Sequence, residues 1–126
     1  RLTDSHMVKG IESICSRIKS LLPEPDYPSL LHGDLWSGNY MVDQQGHAVL
    51  IDPAAYYGHR EADLAMTELF GGFNREFYHI YNEVYPLKPG YRQRKDLYNL
   101  YHMLNHLNLF GSSYAGSVRS IISAYI

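Results

Sequence analysis

The chain has 126 residues, 45% of them hydrophobic and 19% charged, with a formal net charge of -2, which is the balance of a globular domain. Neither nucleic acid nor a membrane is an expected partner, because the charge forms no basic footprint, no apolar run approaches the roughly 20 residues of a membrane helix, and no secretory signal opens the chain. The single cysteine, Cys15, cannot form an internal disulfide, so we expect a reducing compartment and take the cytoplasm as the default.

The first predicted element is a helix that Asp4 or Ser5 caps and Pro23 ends. Its apolar residues recur at helical spacing: Val8, Ile11, Ile14, Cys15, Ile18, Leu21 and Leu22. A proline-rich stretch at 23–28 predicts an extended connector, and Leu30-Leu31 predicts a short strand after it.

A β-hairpin is predicted next. Residues 40–42 and 48–51 are apolar segments with strand character. The loop between them, Asp43-Gln44-Gln45-Gly46, has the residue types that favour a turn.

Helical patterns dominate the rest of the chain. Asp63 can cap or open a helix that Gly71-Gly72 stops, and Asn74 can cap another that runs to about Tyr85. A long helix is predicted to end near Gly111, with an apolar face of Leu97, Leu100, Tyr101, Leu104 and Leu107. A last helix carries Val118, Ile121, Ile122 and Tyr125. The predicted fold class is therefore α+β and mostly α.

The most informative motif lies between the first helix and the hairpin. Residues 32–39 read H-G-D-x-x-x-x-N, and Asp52 follows the second hairpin strand. Phosphoryl transfer needs a carboxylate near the accepting hydroxyl and oxygen-bearing side chains that hold magnesium against the phosphates. Asp34, Asn39 and Asp52 occur in the order that those roles take in protein-kinase signatures. This motif predicts a small-molecule kinase.

Each motif residue has an expected role. Asp34, on a loop, can accept the proton of a substrate hydroxyl. Asn39 offers an amide oxygen, and Asp52, mounted by a strand, offers a carboxylate to magnesium and the nucleotide phosphates. His32 is expected to brace the loop rather than take part in the chemistry.

The same residues allow other interpretations. Asp34, Asn39 or Asp52 taken singly could be an ordinary turn or strand-end residue. A metal hydrolase could cluster the residues His32, Asp34, Asp52, His47 and His59, but the turns that carry further ligands in a dinuclear phosphoesterase are missing. His102 and His106 lack the glutamate of a metalloprotease helix. Ser37 and Cys15 have no triad context.

With these residues in place, the chain resembles the fructosamine kinases, or ketosamine kinases, within the aminoglycoside-phosphotransferase-like kinases. The resemblance lies in the segments HGDLWSGN, IDPAAYYGHREADLAMTELFGGF and YHMLNHLNLFGSSY, and it covers most of 30–114. It implies a protein-kinase-like fold and ATP-dependent phosphorylation of a sugar hydroxyl on a ketoamine.

The resemblance also implies residue roles. Asp34 would be the catalytic base, and Asn39 and Asp52 would bind magnesium and the nucleotide. Asp63 resembles the kinase-fold aspartate that binds the catalytic-loop backbone, and His32 would support the same loop. Candidate substrate contacts are Trp36, whose ring could instead pack in the core, and three residues that could equally stabilise the loop: Tyr57, His59 and Glu61.

One departure from the family pattern affects the expected domain organisation. Kinases of this fold carry a glycine-rich loop and a strand lysine in an N-terminal lobe. This chain shows no such loop, and Lys9 and Lys19 lie on the first predicted helix. We therefore expect residues 1–126 to be a C-terminal catalytic lobe whose nucleotide lobe is absent from this chain. Alternative functions are a kinase of an aminoglycoside or amino alcohol, and a non-catalytic ligand-binding module.

Overall fold

The computed structural model describes residues 4–126, which form six α-helices and two small antiparallel sheets. These residues divide into two compact units. One unit contains the residues up to Glu24 together with Asp96–Ile126, and the other is Pro25–Lys95. Within the described residues, no helix is both long and apolar enough to cross a bilayer.

The first unit is helical. It contains α1 (Ser5–Ser16), the short α2 (Ile18–Leu21), the larger part of α5 (Tyr91–Phe110) and α6 (Ala115–Tyr125). The predicted cap is confirmed, because the Asp4 carboxylate accepts a hydrogen bond from the Met7 amide at 2.8 Å. The single predicted helix is divided at Arg17, which leaves the helical conformation.

The buried face of α1 differs from the predicted one. Met7, Gly10 and Ile14 are buried, whereas Val8 and Cys15, which the spacing assigned to the core, are exposed. Gly10 explains why the buried face differs from the predicted one, because a Cβ on this residue would overlap the Ile122 side chain of α6. Close approach of the two helices at a residue without a side chain therefore selects the face that faces inward.

The predicted face of α5 is confirmed in part. Leu97, Leu100 and Leu107 are buried, together with Met103. Tyr101 was placed wrongly on this face, because 74% of its surface is exposed. On α6 the predicted residues Val118 and Ile122 are buried.

The second unit holds both sheets. The predicted hairpin is confirmed as β2 (Tyr40–Val42) paired with β3 (Ala48–Leu50) in the register Tyr40↔Leu50. The Asp43 carboxylate accepts hydrogen bonds from the amides of Gln45 and His47 within the turn. The other sheet pairs β1 (Ser29–Leu31) with β4 (Tyr56–Gly58), a strand that the sequence patterns did not predict.

Three helical segments complete this unit: α3 (Arg60–Leu69), α4 (Arg75–Val84) and the start of α5. Asn74 caps α4 as predicted, since its side chain accepts a hydrogen bond from the Phe77 amide. The prediction that Asp63 caps or opens α3 was wrong. The helix begins three residues earlier, with His59 as its N-cap, and the Asp63 carboxylate is used elsewhere.

Candidate active site

Asp34 and Asn39 are joined directly. The Asn39 amide nitrogen donates to the main-chain carbonyl of Asp34 at 2.8 Å and to its carboxylate oxygen Oδ2 at 3.1 Å. Both partners can only accept, so the amide orientation is fixed by chemistry. Asn39 is buried, with 6% of its surface exposed. The Asn39 amide oxygen is therefore directed away from Asp34 and can bind a cation.

His32 links this loop to the segment after the hairpin. Its Nδ1 accepts a hydrogen bond from the Asp34 amide at 3.2 Å, and its Nε2 contacts the Ile51 carbonyl at 2.7 Å. A carbonyl only accepts, so Nε2 carries the proton and the ring is the neutral tautomer. One imidazole ring therefore connects the segments that carry Asp34 and Asp52.

The same two segments also meet through their main chains. The Ala54 amide donates to the His32 carbonyl at 2.8 Å. Gly33 has φ +87°, and a Cβ there would overlap the Ala54 carbonyl oxygen. Only glycine combines this left-handed conformation with such a close approach.

The Asp63 carboxylate on α3 holds the backbone at the start of the loop. Its two carboxylate oxygens accept hydrogen bonds from the main-chain amides of His32 at 2.7 Å and Gly33 at 3.0 Å. Hydrogen bonds to a charged acceptor are among the stronger ones in proteins. Because α3 carries Asp63, the position of that helix determines the position of the peptide that leads into Asp34.

The hairpin brings Asn39 and Asp52 to the same end. Tyr40 pairs with Leu50, and beyond that pair the Ile51 amide donates to the Asn39 carbonyl at 2.9 Å. Asp52 is therefore one residue past the last cross-strand bond rather than within a strand. It is exposed and has φ +49°, the only non-glycine residue with positive φ among residues 4–126. Such a backbone is costly for a non-glycine residue and is often found at functional sites.

The available oxygens fit magnesium. The Asn39 amide oxygen and the Asp52 carboxylate are hard ligands, and magnesium is usually bound by one or two protein side chains together with phosphates and water. Among the described residues, no three His, Cys, Asp or Glu side chains gather as a possible metal cluster.

Trp36 packs beside the loop. Its ring covers Gly38, where a Cβ would overlap it, and it meets the Phe70 ring edge-on with centroids 6.1 Å apart. The Trp36 side chain remains partly open, with 38% of the residue exposed. This packing against the end of α3 leaves one part of the ring available to a ligand.

The other three candidate substrate residues have different surroundings. Tyr57 is 72% exposed on β4. The His59 ring nitrogen Nδ1 accepts a hydrogen bond from the Glu61 amide at 3.1 Å, and burial lowers the His59 pKa. Glu61 is 1% exposed and forms a bidentate salt bridge with the Arg94 guanidinium, with nitrogen–oxygen distances of 2.6 and 2.9 Å. The Glu61 carboxylate is therefore occupied by Arg94, which favours a structural role for Glu61 over substrate contact.

His59 and Glu61 also line a recess of about 50 Å³ with Asp26 and Lys88. Asp34 and Tyr57 do not line it. The recess is small for an organic ligand, whose sites usually span hundreds of cubic ångströms.

The sequence patterns did not predict several residues that support the site. Arg94 is 33 residues from its partner Glu61, and no local pattern connects the two. Gly72 has φ +96° and lies so close to Ser37 that a Cβ would overlap that side chain. In the sequence, the Gly71-Gly72 pair indicated the end of a helix but not this contact with the loop that carries Asp34.

A loop is followed by a hairpin and then by a carboxylate, and a helix binds the backbone of the loop. This arrangement defines the C-terminal lobe of a protein-kinase-like fold. The described fold matches a crystal structure from Thermobifida fusca, named as a candidate fructosamine-3-kinase, with a TM-score of 0.90 and 40% identity over 98% of this chain and 43% of that one. The family model described as fructosamine kinase matches residues 2–126. The chain belongs to the fructosamine kinase family.

Curated relatives agree with this assignment. A protein of Enterococcus faecium named probable ketoamine kinase is 50% identical over 86% of this chain and 39% of its own length. The chloroplastic protein-ribulosamine 3-kinase of Oryza sativa subsp. japonica is 57% identical over 79% of this chain and 29% of its own length. The chain therefore spans well under half the length of these relatives.

Proposed function

We propose that residues 1–126 form the catalytic lobe of an ATP-dependent kinase that phosphorylates a sugar hydroxyl of a ketoamine. The observation that carries the proposal is the contact between Asn39 and Asp34. It couples a candidate magnesium ligand to a candidate base, which is the pairing that phosphoryl transfer to an alcohol requires. The family match supports the same reaction class.

In this proposal Asp34 is the general base. The Asn39 amide holds Oδ2 of Asp34, so Oδ1 takes the proton of the substrate hydroxyl. As this proton leaves, the hydroxyl oxygen of the substrate bonds to the γ-phosphorus. The bond between the γ-phosphorus and its bridging oxygen breaks, and ADP leaves. The transfer is direct, without a phosphorylated enzyme. His32 and Asp63 hold the loop so that the Asp34 carboxylate stays aligned, and misalignment by an ångström can cost two orders of magnitude in rate.

Asn39 and Asp52 are assigned to magnesium and, through it, to the nucleotide. Magnesium would neutralise the charge on the phosphates. The hairpin between these residues exposes apolar side chains: Met41, Val42, Val49 and Leu50. We propose that ATP and a further nucleotide-binding lobe cover them, in keeping with the greater length of the relatives.

The acceptor is proposed to be a fructosamine- or ribulosamine-type adduct. This follows the names of the relatives, ketoamine kinase and protein-ribulosamine 3-kinase. The open part of Trp36 suits the face of a sugar ring, and the exposed Tyr57 is a second candidate contact. Glu61 is assigned to a structural role through Arg94, and His59 is assigned to capping α3. A reducing compartment with ATP, such as the cytoplasm, fits the unpaired Cys15.

The test uses the protein expressed from its full reading frame. It is incubated with Mg-ATP and a panel of fructose- and ribulose-amine adducts, and phosphorylated products are sought by mass spectrometry. A product that is absent from the Asp34→Asn variant supports the proposal. Products formed only from aminoglycosides or amino alcohols would replace the acceptor class, and nucleotide binding without any product would indicate a non-catalytic binding module.

A further inference from the structure

A cavity of about 550 Å³ lies in the second unit, bounded by α3, α4 and the first turn of α5. Asp34, Asn39 and Asp52 do not line it. Its volume is in the range of sites that hold small organic ligands. The polar groups on its wall indicate which ligand would fit.

The positive groups are Arg75 on α4 and Arg92 on α5, both of which line the cavity. Among residues 4–126, neither guanidinium forms an ion pair with a carboxylate. Asn82 adds a further donor, since its amide oxygen accepts a hydrogen bond from the Leu87 amide at 2.9 Å and its NH2 group remains. Two guanidinium groups match the charge of a phosphate dianion and bind its oxygens in pairs.

The acceptor groups are fixed by the direction of their hydrogen bonds. Thr67 donates its only hydroxyl hydrogen to the Leu64 carbonyl at 2.6 Å, so Tyr78 must donate to Thr67 across 2.9 Å. Tyr91 likewise donates its hydrogen to the Glu68 carboxylate. The oxygens of Tyr78 and Tyr91 can then only accept from a ligand.

Among the residues that the structure describes, Glu68 is the only carboxylate that lines the cavity, and Lys95 approaches it at 3.4 Å. A carboxylate repels phosphate but accepts hydrogen bonds from hydroxyl groups. The wall thus offers two free cations and an amide donor, together with three groups that can accept further hydrogen bonds, which are the Glu68 carboxylate and the hydroxyl oxygens of Tyr78 and Tyr91. We propose that this cavity binds a phosphorylated polyol, the phosphate against Arg75 and Arg92 and the hydroxyls toward Glu68, Tyr78 and Tyr91.

Calorimetric titration of the full chain with glucose 6-phosphate tests the proposal, with inorganic phosphate and glucose as separate probes. We expect the sugar phosphate to bind at least about tenfold more tightly than either part. Arg75→Gln and Arg92→Gln should each weaken binding about tenfold, because a hydrogen bond to a charged group is lost. Lys9→Gln removes one exposed positive charge outside the cavity and should leave the affinity unchanged.

Asn39→Ala distinguishes this cavity from the candidate active site and should not affect binding of the sugar phosphate. Chemical-shift changes at the Asn82 side-chain amide give a readout that needs no variant. Equal affinity for inorganic phosphate and the sugar phosphate would overturn the proposal, because the polyol would contribute nothing. Unchanged affinity in both arginine variants, or loss of binding in Asn39→Ala, would overturn it as well.

Discussion

Asn39 donates from one amide nitrogen to both the main-chain oxygen and the carboxylate of Asp34, at 2.8 and 3.1 Å. The two residues are therefore one unit, and a change at Asn39 alters the surroundings of Asp34. In the proposed reaction Asn39 has two functions, to hold Asp34 and to present an oxygen to magnesium. Two substitutions separate them.

Asn39→Ala removes both functions, and we expect the turnover of the full-reading-frame protein to fall by about 10²-fold or more. Asn39→Asp keeps an oxygen ligand but places a second carboxylate beside Asp34. Like charges disfavour ionisation, so the acid limb of the pH–rate profile should move to higher pH. Rates measured across pH and magnesium concentration check both effects. Asn108→Ala, an exposed change on α5, is the control, and an Asn39→Ala variant as active as the control would contradict the assignment.

The Glu61–Arg94 bridge should contribute to stability only as a pair. Glu61 is 1% exposed and its two oxygens both meet the Arg94 guanidinium. Glu61→Gln leaves the Arg94 cation, whose side chain is only 12% exposed, without its counter-charge. This change should lower the free energy of unfolding by about 3 kcal/mol. The double variant Glu61→Leu/Arg94→Leu should recover much of that loss, because both charges are removed.

Urea unfolding of Glu61→Leu, Arg94→Leu and the double variant that combines them measures this coupling. Asp26→Asn is the matched control, since it breaks an ion pair with Lys88 in which both side chains are largely exposed. Exposed pairs contribute little, so the control should unfold almost as the parent does. Additive losses in the double variant would show that Glu61 and Arg94 do not act as a pair.

Elements with local signals were predictable. The hairpin follows from its turn residues at 43–46, and α4 follows from Asn74 at one end and Pro86 just beyond the other. The strand β4 was missed because its partner β1 is far along the chain, with Leu31 opposite Tyr56. The start of α3 was misplaced because Asp63 resembles a cap, while in the fold its carboxylate serves the loop amides of His32 and Gly33.

The candidate site was also predictable only in part. The order of Asp34, Asn39 and Asp52 could be predicted from the sequence, and the hairpin between the last two brings them to one end. The contacts that hold these residues in place were not readable, because each joins segments that are separated in the chain: Gly33 with Ala54, Ser37 with Gly72, and Glu61 with Arg94. The spacing of motif residues predicts candidates for the chemistry, but the close packing around those candidates depends on tertiary structure.

Stability should depend on pH through His59. Burial is the main cause of its lowered pKa, although nearby Glu61 acts in the opposite direction. The unfolded chain therefore binds this proton more readily than the folded one, and stability rises with pH where the two differ. The part of the unfolding free energy that depends on neutral His59 is fully present above the ordinary pKa of 6.5. It is lost as the pH falls below that value. Protonation at Nδ1 would also remove the acceptor for the Glu61 amide at the start of α3.

Urea unfolding between about pH 5 and 7.5 measures this effect against the ordinary histidine pKa. His59→Asn is the informative variant, since asparagine is a good N-cap that does not titrate in this range. We expect the variant to keep most of the stability at pH 7.5 and to lose less than the parent as the pH falls. Parallel pH profiles for the two proteins would remove His59 as the titrating group.

Gly33 and Gly46 provide a matched pair of substitutions. Both have positive φ, +87° and +83°, but a Cβ at Gly33 would overlap the Ala54 carbonyl oxygen while none would meet an atom within 4 Å at Gly46. Gly46→Ala should therefore cost only the conformational strain, about 1–2 kcal/mol of unfolding free energy. Gly33→Ala carries the same strain and must also separate the Asp34 loop from the segment after Asp52. We expect a larger loss of stability and, at temperatures where both variants are folded, a loss of turnover confined to Gly33→Ala. Urea unfolding and the ketoamine assay measure the two quantities, and equal turnover in both variants would show that the Gly33–Ala54 contact does not position the site.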